Sequence, residues 1–282
     1  MLGGLDMHRL LVGLLACALQ AGSWASPPIE VTILCDAGYP PYSYAEGYQA
    51  KGLYHDILRA AFARMPEYRV HIRPLPWARA LAELASGRAF ALYPPYYRPG
   101  ERPWMDYSRP ILREKLVVFL RADVARKLPD ERFPQGYGGL RIGQNRGFIN
   151  VLNRDYQSML ARGELHQVYV KDNRTSLAML YRGRLDAYIN DRRAVLWELE
   201  QMHSDGVFGQ HGLGWVIEGP WLSGEAGHLG YTRLNPQAYP YKQDFKKRLE
   251  AILTDLEREG VIYRIVTGYD AINPLQSQAV GI

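Results

Sequence analysis

The stretch LAELASGRAFA (residues 81–91) returns later in the chain as LAMLYRGRLDA (residues 177–187). The two copies share the pattern L-A-x-L-x-x-G-R-x-x-A. Each copy predicts the end of a helix, a glycine in the left-handed conformation that ends many helices, and then a short buried strand. A helix-to-strand unit repeated at this distance predicts two lobes of similar construction with a cleft between them. Chance similarity is the alternative, because Leu, Ala and Gly are common residues.

Helical and strand patterns alternate along the rest of the chain. Strands are predicted over residues 29–35, 68–75, 89–93, 116–120, 140–143, 166–170, 187–189 and 227–232. Helices are predicted over residues 52–65, 77–86, 150–162, 176–182, 192–202, 242–259 and 261–267. This order predicts an α/β fold with parallel strands and helices on both faces of each sheet.

Two crossings between the lobes follow from this order. The chain is predicted to leave the first lobe near Leu120 and to return near His228. The first lobe then comprises residues 26–120 and 228–282, and the second comprises residues 121–227. Two connecting segments form a hinge, and a hinge allows lobes to close over a ligand.

The start of the chain has the pattern of a secretory signal peptide. A basic stretch at Met7 precedes an apolar run over residues 10–19, and small residues precede a cleavage site after Ala25. The run is too short to span a bilayer. Residues 1–25 are therefore interpreted as a signal for export to the periplasm, with Met7 as an alternative start. A lipoprotein signal ending at Cys17 and a buried N-terminal helix are the other interpretations.

The composition excludes several classes of function. A hydrophobic fraction of 47% and a charged fraction of 22% are typical of a globular protein. The net charge of +5 comes from scattered basic residues, so nucleic-acid binding is not predicted. Cys35 is the only cysteine after cleavage, which rules out an internal disulfide and favours a small buried side chain. No phosphate-binding loop or zinc motif occurs, and the seven histidines are dispersed, so neither a metal nor a cofactor is predicted.

The order of five short motifs resembles a known family. The chain is similar, over about residues 29–270, to the bacterial extracellular solute-binding proteins of family 3, which are type II periplasmic binding proteins. The motifs are YPPYSY (residues 39–44), PWARA (76–80), RPGER followed by DYS (98–102 and 106–108), GQNRGF (143–148) and DAYIND (186–191). The resemblance implies two Rossmann-like lobes joined by a two-strand hinge.

The resemblance also implies roles for two charged residues. In family members that bind amino acids, the last arginine of the R-T-P-E-R motif grips the ligand carboxylate, and this position is Arg102. A guanidinium presents a planar fork to both oxygens and stays charged. The closing aspartate of the D-A-x-x-x-D motif holds the ligand ammonium in those members, and this position is Asp191. A surface ion pair for Arg102 and a helix N-cap for Asp191 are the alternatives.

Other candidate ligand-binding residues come from loops beside the predicted cleft. Backbone donors at a turn that opens a helix suit a carboxylate, and the aromatic faces suit a ligand ring or a cation. The turn residues are Arg146, Gly147 and Phe148, and the aromatic wall residues are Tyr42, Trp77 and Tyr96. The alternatives are a plain turn and ordinary core packing.

One segment departs from the family pattern. Amino-acid binders usually carry Ser or Thr shortly before the carboxylate-binding arginine, whereas this chain has YPPYY (residues 93–97). The departure places a standard α-amino acid ligand in doubt and makes the role of Arg102 less secure.

The leading hypothesis is a monomeric periplasmic protein that binds a small polar solute, an amino acid or a related carboxylate or amine. It would deliver this solute to an inner-membrane ABC permease. One alternative is an enzyme of cyclohexadienyl dehydratase type, in which Glu101 or His228 would serve as acid or base. The other is a ligand-sensing partner of a membrane receptor.

Overall fold

The computed structural model describes residues 26–146, 154–209 and 212–272. The predicted signal peptide, residues 1–25, lies outside these ranges. The strands are, in chain order, β1 Ile29–Asp36, β2 Gly38–Tyr39, β3 Ser43–Glu46, β4 Gln49–Lys51, β5 Tyr68–Leu75, β6 Ala91–Tyr93, β7 Met105–Tyr107, β8 Leu112–Arg121, β9 Arg141–Asn145, β10 His166–Val170, β11 Ala187–Asp191, β12 Val216–Gly227 and β13 Gly230–Thr232. The helices are α1 Leu53–Phe62, α2 Trp77–Ala85, α3 Ala122–Ala125, α4 Arg154–Ala161, α5 Asn173–Tyr181, α6 Arg192–Ser204, α7 Lys242–Arg258 and α8 Val261–Ile272.

The strands form two main sheets with the same internal order. The first sheet has the order β5-β1-β6-β13-β7, and the second has the order β10-β9-β11-β8-β12. In each sheet three parallel strands are followed by an antiparallel strand, β13 in the first and β8 in the second. The α/β class and the two similar lobes predicted from the repeat are therefore confirmed. Strands β2, β3 and β4 form a small separate sheet beside the first.

The two copies of the repeat have the same local structure. In both, a helix ends at a glycine with positive φ, 72° at Gly87 and 69° at Gly183. The N–H of Gly87 donates to the Leu84 carbonyl at 3.1 Å, and the N–H of Gly183 donates to the Leu180 carbonyl at 3.1 Å. The N–H of the next residue reaches back to an earlier carbonyl in each case, which is the Schellman arrangement of a helix C-terminus. The repeat is therefore a structural repeat.

Apolar side chains cover both faces of each sheet. In the first lobe, one core cluster packs residues of α1 and α7 such as Leu58 and Phe245, and another packs Leu84 of α2. In the second lobe, Leu180 of α5 lies in one cluster and Tyr156 of α4 lies in another. Helices on both faces are the arrangement that the alternating pattern predicted. Among the described residues, no helix has both the length and the apolar character needed to cross a bilayer.

Two neighbouring segments connect the lobes. The N–H of Ile111 donates to the Gly227 carbonyl at 2.9 Å, and the N–H of Ser108 donates to the Leu229 carbonyl at 2.9 Å. The first crossing differs from the predicted position near Leu120, because β8 pairs with β11 and β12 throughout its length. By sheet membership, the chain leaves the first lobe before residue 112. The apolar run over residues 116–120 belongs to the second sheet, where it pairs with residues 187–191 of β11.

Strand β12 was not predicted from the sequence. It pairs with β8 over most of its length, but its register shifts between Glu218 and Trp221 and again between Trp221 and Ser223. These irregularities break the two-residue alternation by which a strand is recognised. The segment VIEGPWLSGEAG also contains Gly and Pro residues that usually indicate loops.

The repeat glycine Gly87 is required by both its backbone conformation and its surroundings. A Cβ atom at this position would lie 3.0 Å from Leu234 Cβ and 3.1 Å from Asn235 Cβ. Gly206 has the same φ of 72°, but a Cβ there meets nothing within 4 Å. We expect Gly206→Ala to lower the free energy of unfolding by about 1 kcal/mol through backbone strain alone. Gly87→Ala should lower it by about 2–3 kcal/mol, because crowding adds to the same strain.

Denaturant unfolding of both variants beside the wild type measures the difference. Equal losses at the two glycines would show that the packing against Leu234 does not restrict Gly87.

Candidate functional site

The parallel strands of each sheet end at one edge, where an open α/β fold binds its ligands. In the first sheet, the loops after β1, β5 and β6 lie at this edge and begin at residues 37, 76 and 94. In the second sheet, the equivalent segments after β9, β10 and β11 begin at residues 146, 171 and 192. Most of the sequence-predicted site residues lie on these segments.

A cavity of about 270 Å³ lies between the two edges. Its first-lobe wall is the segment from Gly38 to Pro40, and its second-lobe wall contains Asn145 and the segment from Lys171 to Arg174. Glu198 of α6 completes the lining. The two carboxyl edges therefore face each other across a space with polar and charged walls.

A cluster of amide side chains forms the second-lobe wall of this cavity. Asn145 Nδ2 donates to Asn173 Oδ1 at 2.5 Å, and Asn190 Nδ2 donates to the same oxygen at 2.9 Å. The Tyr188 hydroxyl, which is fully buried, lies 2.9 Å from the side-chain oxygens of both Asn145 and Asn173. These bonds hold the wall rigid at the ends of β9 and β11. A few fixed polar groups of this kind orient the ligand in many small-molecule sites.

Arg102 lies beside Trp77 at the edge of the first sheet. The guanidinium carbon is 5.7 Å from the centre of the Trp77 ring, which is a cation–π distance. Nη1 of Arg102 is buried and has no hydrogen-bond partner among the described residues. Burial lowers the pKa of Arg102, because few groups around it replace the lost hydration. The structure thus places Arg102 and Trp77 together, with a buried donor that an anion can satisfy.

Three tyrosine hydroxyls converge on the carboxylate of Glu114. The hydroxyl of Tyr54 donates to Oε1 at 2.5 Å, and the hydroxyls of Tyr39 and Tyr96 donate to Oε2 at 2.6 Å and 2.5 Å. Glu114 lies near the start of β8, and only 1% of it is exposed. The tyrosines come from three separate segments of the first lobe. The predicted wall residue Tyr96 therefore binds a carboxylate that belongs to the second sheet.

Asp191 lies close to this cluster at the end of β11. Its Oδ1 accepts from the N–H of Ala194 at 2.9 Å, and its Oδ2 accepts from the N–H of Lys115 at 3.0 Å. The first bond makes Asp191 the N-cap of α6, which was the alternative interpretation of this residue. Burial raises the pKa of Asp191 and, even more, that of Glu114, whose pKa the nearby Asp191 charge raises further. A cap role leaves both oxygens able to accept a further bond.

Tyr42 packs in the core of the first lobe beside Asp191. Its side chain is fully buried, and its ring stacks on Tyr39 with ring centres 5.1 Å apart. The Tyr42 hydroxyl has no hydrogen bond of ordinary geometry among the described residues, yet it lies near enough to Asp191 to oppose the rise of that pKa. Tyr42, which was predicted as a wall residue, therefore packs against Tyr39 and lies near Asp191.

Asp36 is a buried acid at the carboxyl edge of the first sheet. It ends β1, is 7% exposed, and accepts a bond from the N–H of Gly38 at 2.9 Å. Burial raises the pKa of Asp36 to about 6, and the bond from Gly38 offsets only part of this rise. No cation among the described residues forms an ion pair with it. The edge of the first sheet thus contains an acid whose ionised form lacks a counter-charge.

The turn after β9 is only partly described. The N–H of Arg146 donates to the Val170 carbonyl at 2.8 Å, and the Arg146 side chain is exposed. Gly147 and Phe148 lie outside the described residues. The proposed carboxylate contact at this turn therefore stays a prediction, as does the direct opposition of Arg102 and Asp191 across the cleft.

The two acid–base candidates of the enzyme alternative lie in different surroundings. His228 is buried in the hinge, where its Nδ1 is 2.7 Å from the Ser108 carbonyl, and burial lowers its pKa. Glu101 is exposed in the loop before Arg102. Among the described residues, no group of three His, Cys, Asp or Glu side chains is arranged to hold a metal ion.

Sequence reasoning missed Glu114, Asp36 and the Asn145–Asn173 pair. Asp36 and Asn145 each end a parallel strand, and this position was the signal that could have identified them. Glu114 gave no such signal. It is the third residue of LREKLVVFLR, and the charged residues at the start of this segment indicate an exposed strand end. Its burial depends on three tyrosines that are distant in the sequence.

One protein family matches the chain over most of its length. A model of the bacterial extracellular solute-binding proteins, family 3, matches residues 31–270. The chain belongs to this family. The resemblance inferred from the five motifs is therefore confirmed. A comparison with curated protein sequences gave no match.

Solved structures with the same fold include both a sensor domain and solute-binding proteins. A histidine kinase sensor domain with similarity to periplasmic binding proteins is 16% identical with a TM-score of 0.65, covering 86% of this chain and 96% of that chain. An ancestral arginine-binding protein bound to arginine is 14% identical with a TM-score of 0.64, covering 86% and 99%. An ABC uptake transporter substrate-binding protein from Streptococcus pneumoniae with bound histidine is 16% identical with a TM-score of 0.61, covering 85% and 92%. At these identities the similarity shows the fold alone.

The tyrosine donors to Glu114 should contribute to stability. Tyr54→Phe removes a 2.5 Å hydrogen bond to a buried carboxyl, so we expect it to lower the free energy of unfolding by about 1.5–3 kcal/mol. Tyr231 provides a matched control, because its side chain is also fully buried but its hydroxyl has no partner among the described residues. Tyr231→Phe should change the free energy by less than about 0.5 kcal/mol.

Urea unfolding of the two variants measures both values. Similar small effects at Tyr54 and Tyr231 would show that the Tyr54–Glu114 bond is not formed in solution.

The raised pKa of Asp36 predicts how its contribution to stability depends on pH. The folded-state pKa of about 6 exceeds the unfolded value of about 3.9, so the folded protein binds this proton more readily. The ionised carboxylate therefore destabilises the protein. This penalty is full above about pH 6 and decreases as the pH falls from the folded-state pKa to the unfolded-state pKa. Asp36→Asn should raise the free energy of unfolding by about 1–3 kcal/mol more at about pH 7.5 than at about pH 4.

Unfolding of the wild type, Asp36→Asn and the exposed Asp155→Asn across this pH range tests the prediction. A gain from Asp36→Asn that is the same at every pH would exclude a raised pKa.

Proposed function

We propose that this protein captures a small solute carrying a carboxylate and an ammonium group, an amino acid or a close relative, in the cleft between its lobes. The observation that carries this proposal is the polar cavity walled by the carboxyl edges of both sheets. Its volume of about 270 Å³ suits a small solute, because pockets for larger drug-sized ligands begin near 300 Å³.

Charged groups at the carboxyl edges of the two sheets, outside the lining of the cavity itself, match both ends of such a ligand. Arg102 supplies a buried donor without a partner, which matches a carboxylate. Asp191 and Asp36 supply buried carboxyls that lack an ion-pair partner among the described residues, which matches an ammonium. The aromatic faces of Trp77 and Tyr39 suit the apolar part of the solute.

The cellular role follows from the family and from the start of the chain. We propose that the signal peptide directs the chain to the periplasm and is removed after Ala25. The solute would then pass to an ABC permease, as expected for a protein similar to the transporter substrate-binding protein from Streptococcus pneumoniae. Uptake of labelled solute by cells with and without the gene tests this step. Normal uptake together with loss of a solute-dependent signal would assign the protein to a receptor.

Binding should depend on Arg102. Calorimetry or thermal shift against the L-amino acids, their decarboxylated amines and their deaminated acids should give binding to solutes that carry a carboxylate. Arg102→Ala should weaken this binding at least about 30-fold, because a buried ion would lose its partner. Arg102→Lys should give an intermediate loss, since it keeps the charge without the planar fork.

Arg132→Ala, which removes a charge from the exposed surface of the second lobe, serves as the control and should bind as the wild type does. A flat response of the wild type to the whole panel would contradict the proposed function. Undiminished affinity in Arg102→Ala would remove Arg102 from the site.

A further inference from the structure

Glu114 and Asp191 are two buried acids on adjacent strands of the second sheet, where Glu114 contacts tyrosines of the first lobe. Glu114 is 1% exposed and Asp191 is 2% exposed. The backbone N–H of Lys115, the residue after Glu114, donates to Asp191 at 3.0 Å, so the two carboxyls lie on adjacent strands of one sheet. Burial raises the pKa of Glu114, and the charge of Asp191 raises it further, because two ionised carboxylates buried on adjacent strands repel each other.

The charged groups around the pair do not neutralise both acids. Arg193 of α6 lies near Asp191, but its guanidinium forms two hydrogen bonds with Asp270 of α8, at 2.8 Å and 3.1 Å. Lys115 of β8 directs its ammonium over the Trp221 ring, 5.7 Å from the ring centre. Among the described residues, neither Glu114 nor Asp191 forms an ion pair.

The remaining neighbours of the pair are tyrosine hydroxyls. The loop after β6 also contains an arginine, but this arginine forms its own ion pair. Tyr39 of β2, Tyr54 of α1 and Tyr96 of the loop after β6 donate to Glu114, and Tyr42 faces Asp191. Arg98 of the same loop pairs with Glu225 of β12 at 2.8 Å. Phenol hydroxyls stabilise one carboxylate by hydrogen bonding but contribute no positive charge.

Resting on the proposed function, we infer that the Glu114–Asp191 pair holds one proton in the ligand-free protein and releases it when the ammonium of the solute binds. The exchange balances without any other reactant. The neutral carboxyl loses its proton to solvent, and the ammonium of the solute supplies the positive charge that the proton had supplied. Glu114 thereby makes the site selective for a cationic group over a neutral group of the same size.

This exchange fixes the direction of the pH dependence. Burial raises the pKa values of both acids, so the shared proton is lost nearer to neutral pH than an ordinary carboxyl proton. Because the proton must leave for the cation to bind, affinity rises as the pH rises, by up to about tenfold per pH unit. Below the raised pKa the proton competes with the solute, and above it the dependence disappears.

Two measurements on the wild type and Glu114→Gln test the inference, with L-arginine and L-ornithine, which carry both a carboxylate and ammonium or guanidinium groups, as the probes. Calorimetry of the wild type near pH 7, in two buffers of different ionisation enthalpy, should show release of up to one proton for each solute bound. Between about pH 5 and about pH 9, a range that includes ordinary and raised carboxyl pKa values, the wild-type affinity should rise, whereas that of Glu114→Gln should stay nearly constant. The surface variant Glu46→Gln removes the same charge and should keep the wild-type profile.

Infrared spectroscopy of the ligand-free protein tests the held proton without any ligand. The wild type near pH 7 should show the carbonyl band of a neutral carboxylic acid. Glu114→Gln should lose this band, because Asp191 then no longer lies beside a second acid and ionises. If no solute of the whole amino-acid panel binds, the proposed function fails, and the infrared result alone decides whether the pair holds a proton. Binding without proton release, or a band that persists in Glu114→Gln, would overturn the inference.

Discussion

Two hydrogen-bonded chain crossings determine how the lobes face each other. The segments around Ser108 and Leu229 pair with each other, and so do Ile111 and Gly227, so the two connections run side by side. A single connection would leave the lobes free to rotate, whereas two adjacent connections favour opening and closing about one axis. Because the sheets have the same strand order, this constraint brings the carboxyl edge of one opposite that of the other. The position of the cavity therefore follows from the crossings.

The electrostatics of the cleft follow from burying acids at those edges. An aspartate that ends a parallel strand is close to neighbouring backbone N–H groups, as Asp36 is to Gly38 and Asp191 is to Ala194. These bonds lower the cost of burying the charge but do not remove it, and burial still raises the pKa of both acids. Structures tolerate such groups where a bound ligand supplies the missing charge, and perturbed acids in a cleft are a physical indication of a binding site.

The sequence predicted local structure well and long-range contacts poorly. The glycines Gly87 and Gly183 were predictable, because a left-handed helix end requires a residue without a side chain. The apolar run over residues 116–120 was recognised as a strand but assigned to the wrong sheet by its position alone, since an apolar run does not indicate its partner. Strand β12 was missed because its bulges and its Gly and Pro residues hide the alternation.

The same difference between local sequence patterns and long-range contacts applies to the residues of the candidate site. Arg102, Trp77 and Asp191 were predicted from local motifs, and their roles in ligand binding stay predictions, although Arg102 lies beside Trp77 and Asp191 caps α6. Glu114 could not be found in this way, because its environment is made by Tyr39, Tyr54 and Tyr96 from three distant segments. This cluster of tyrosines around a carboxyl indicates a functional site more strongly than the local motifs do. A carboxyl in an apolar core is costly, and three convergent donors reduce that cost only partly. Because the cost of the uncompensated charge lies where both lobes meet, a cation bound there as proposed would stabilise a closed arrangement more than an open one, and recognition of the solute would then be coupled to closure of the cleft.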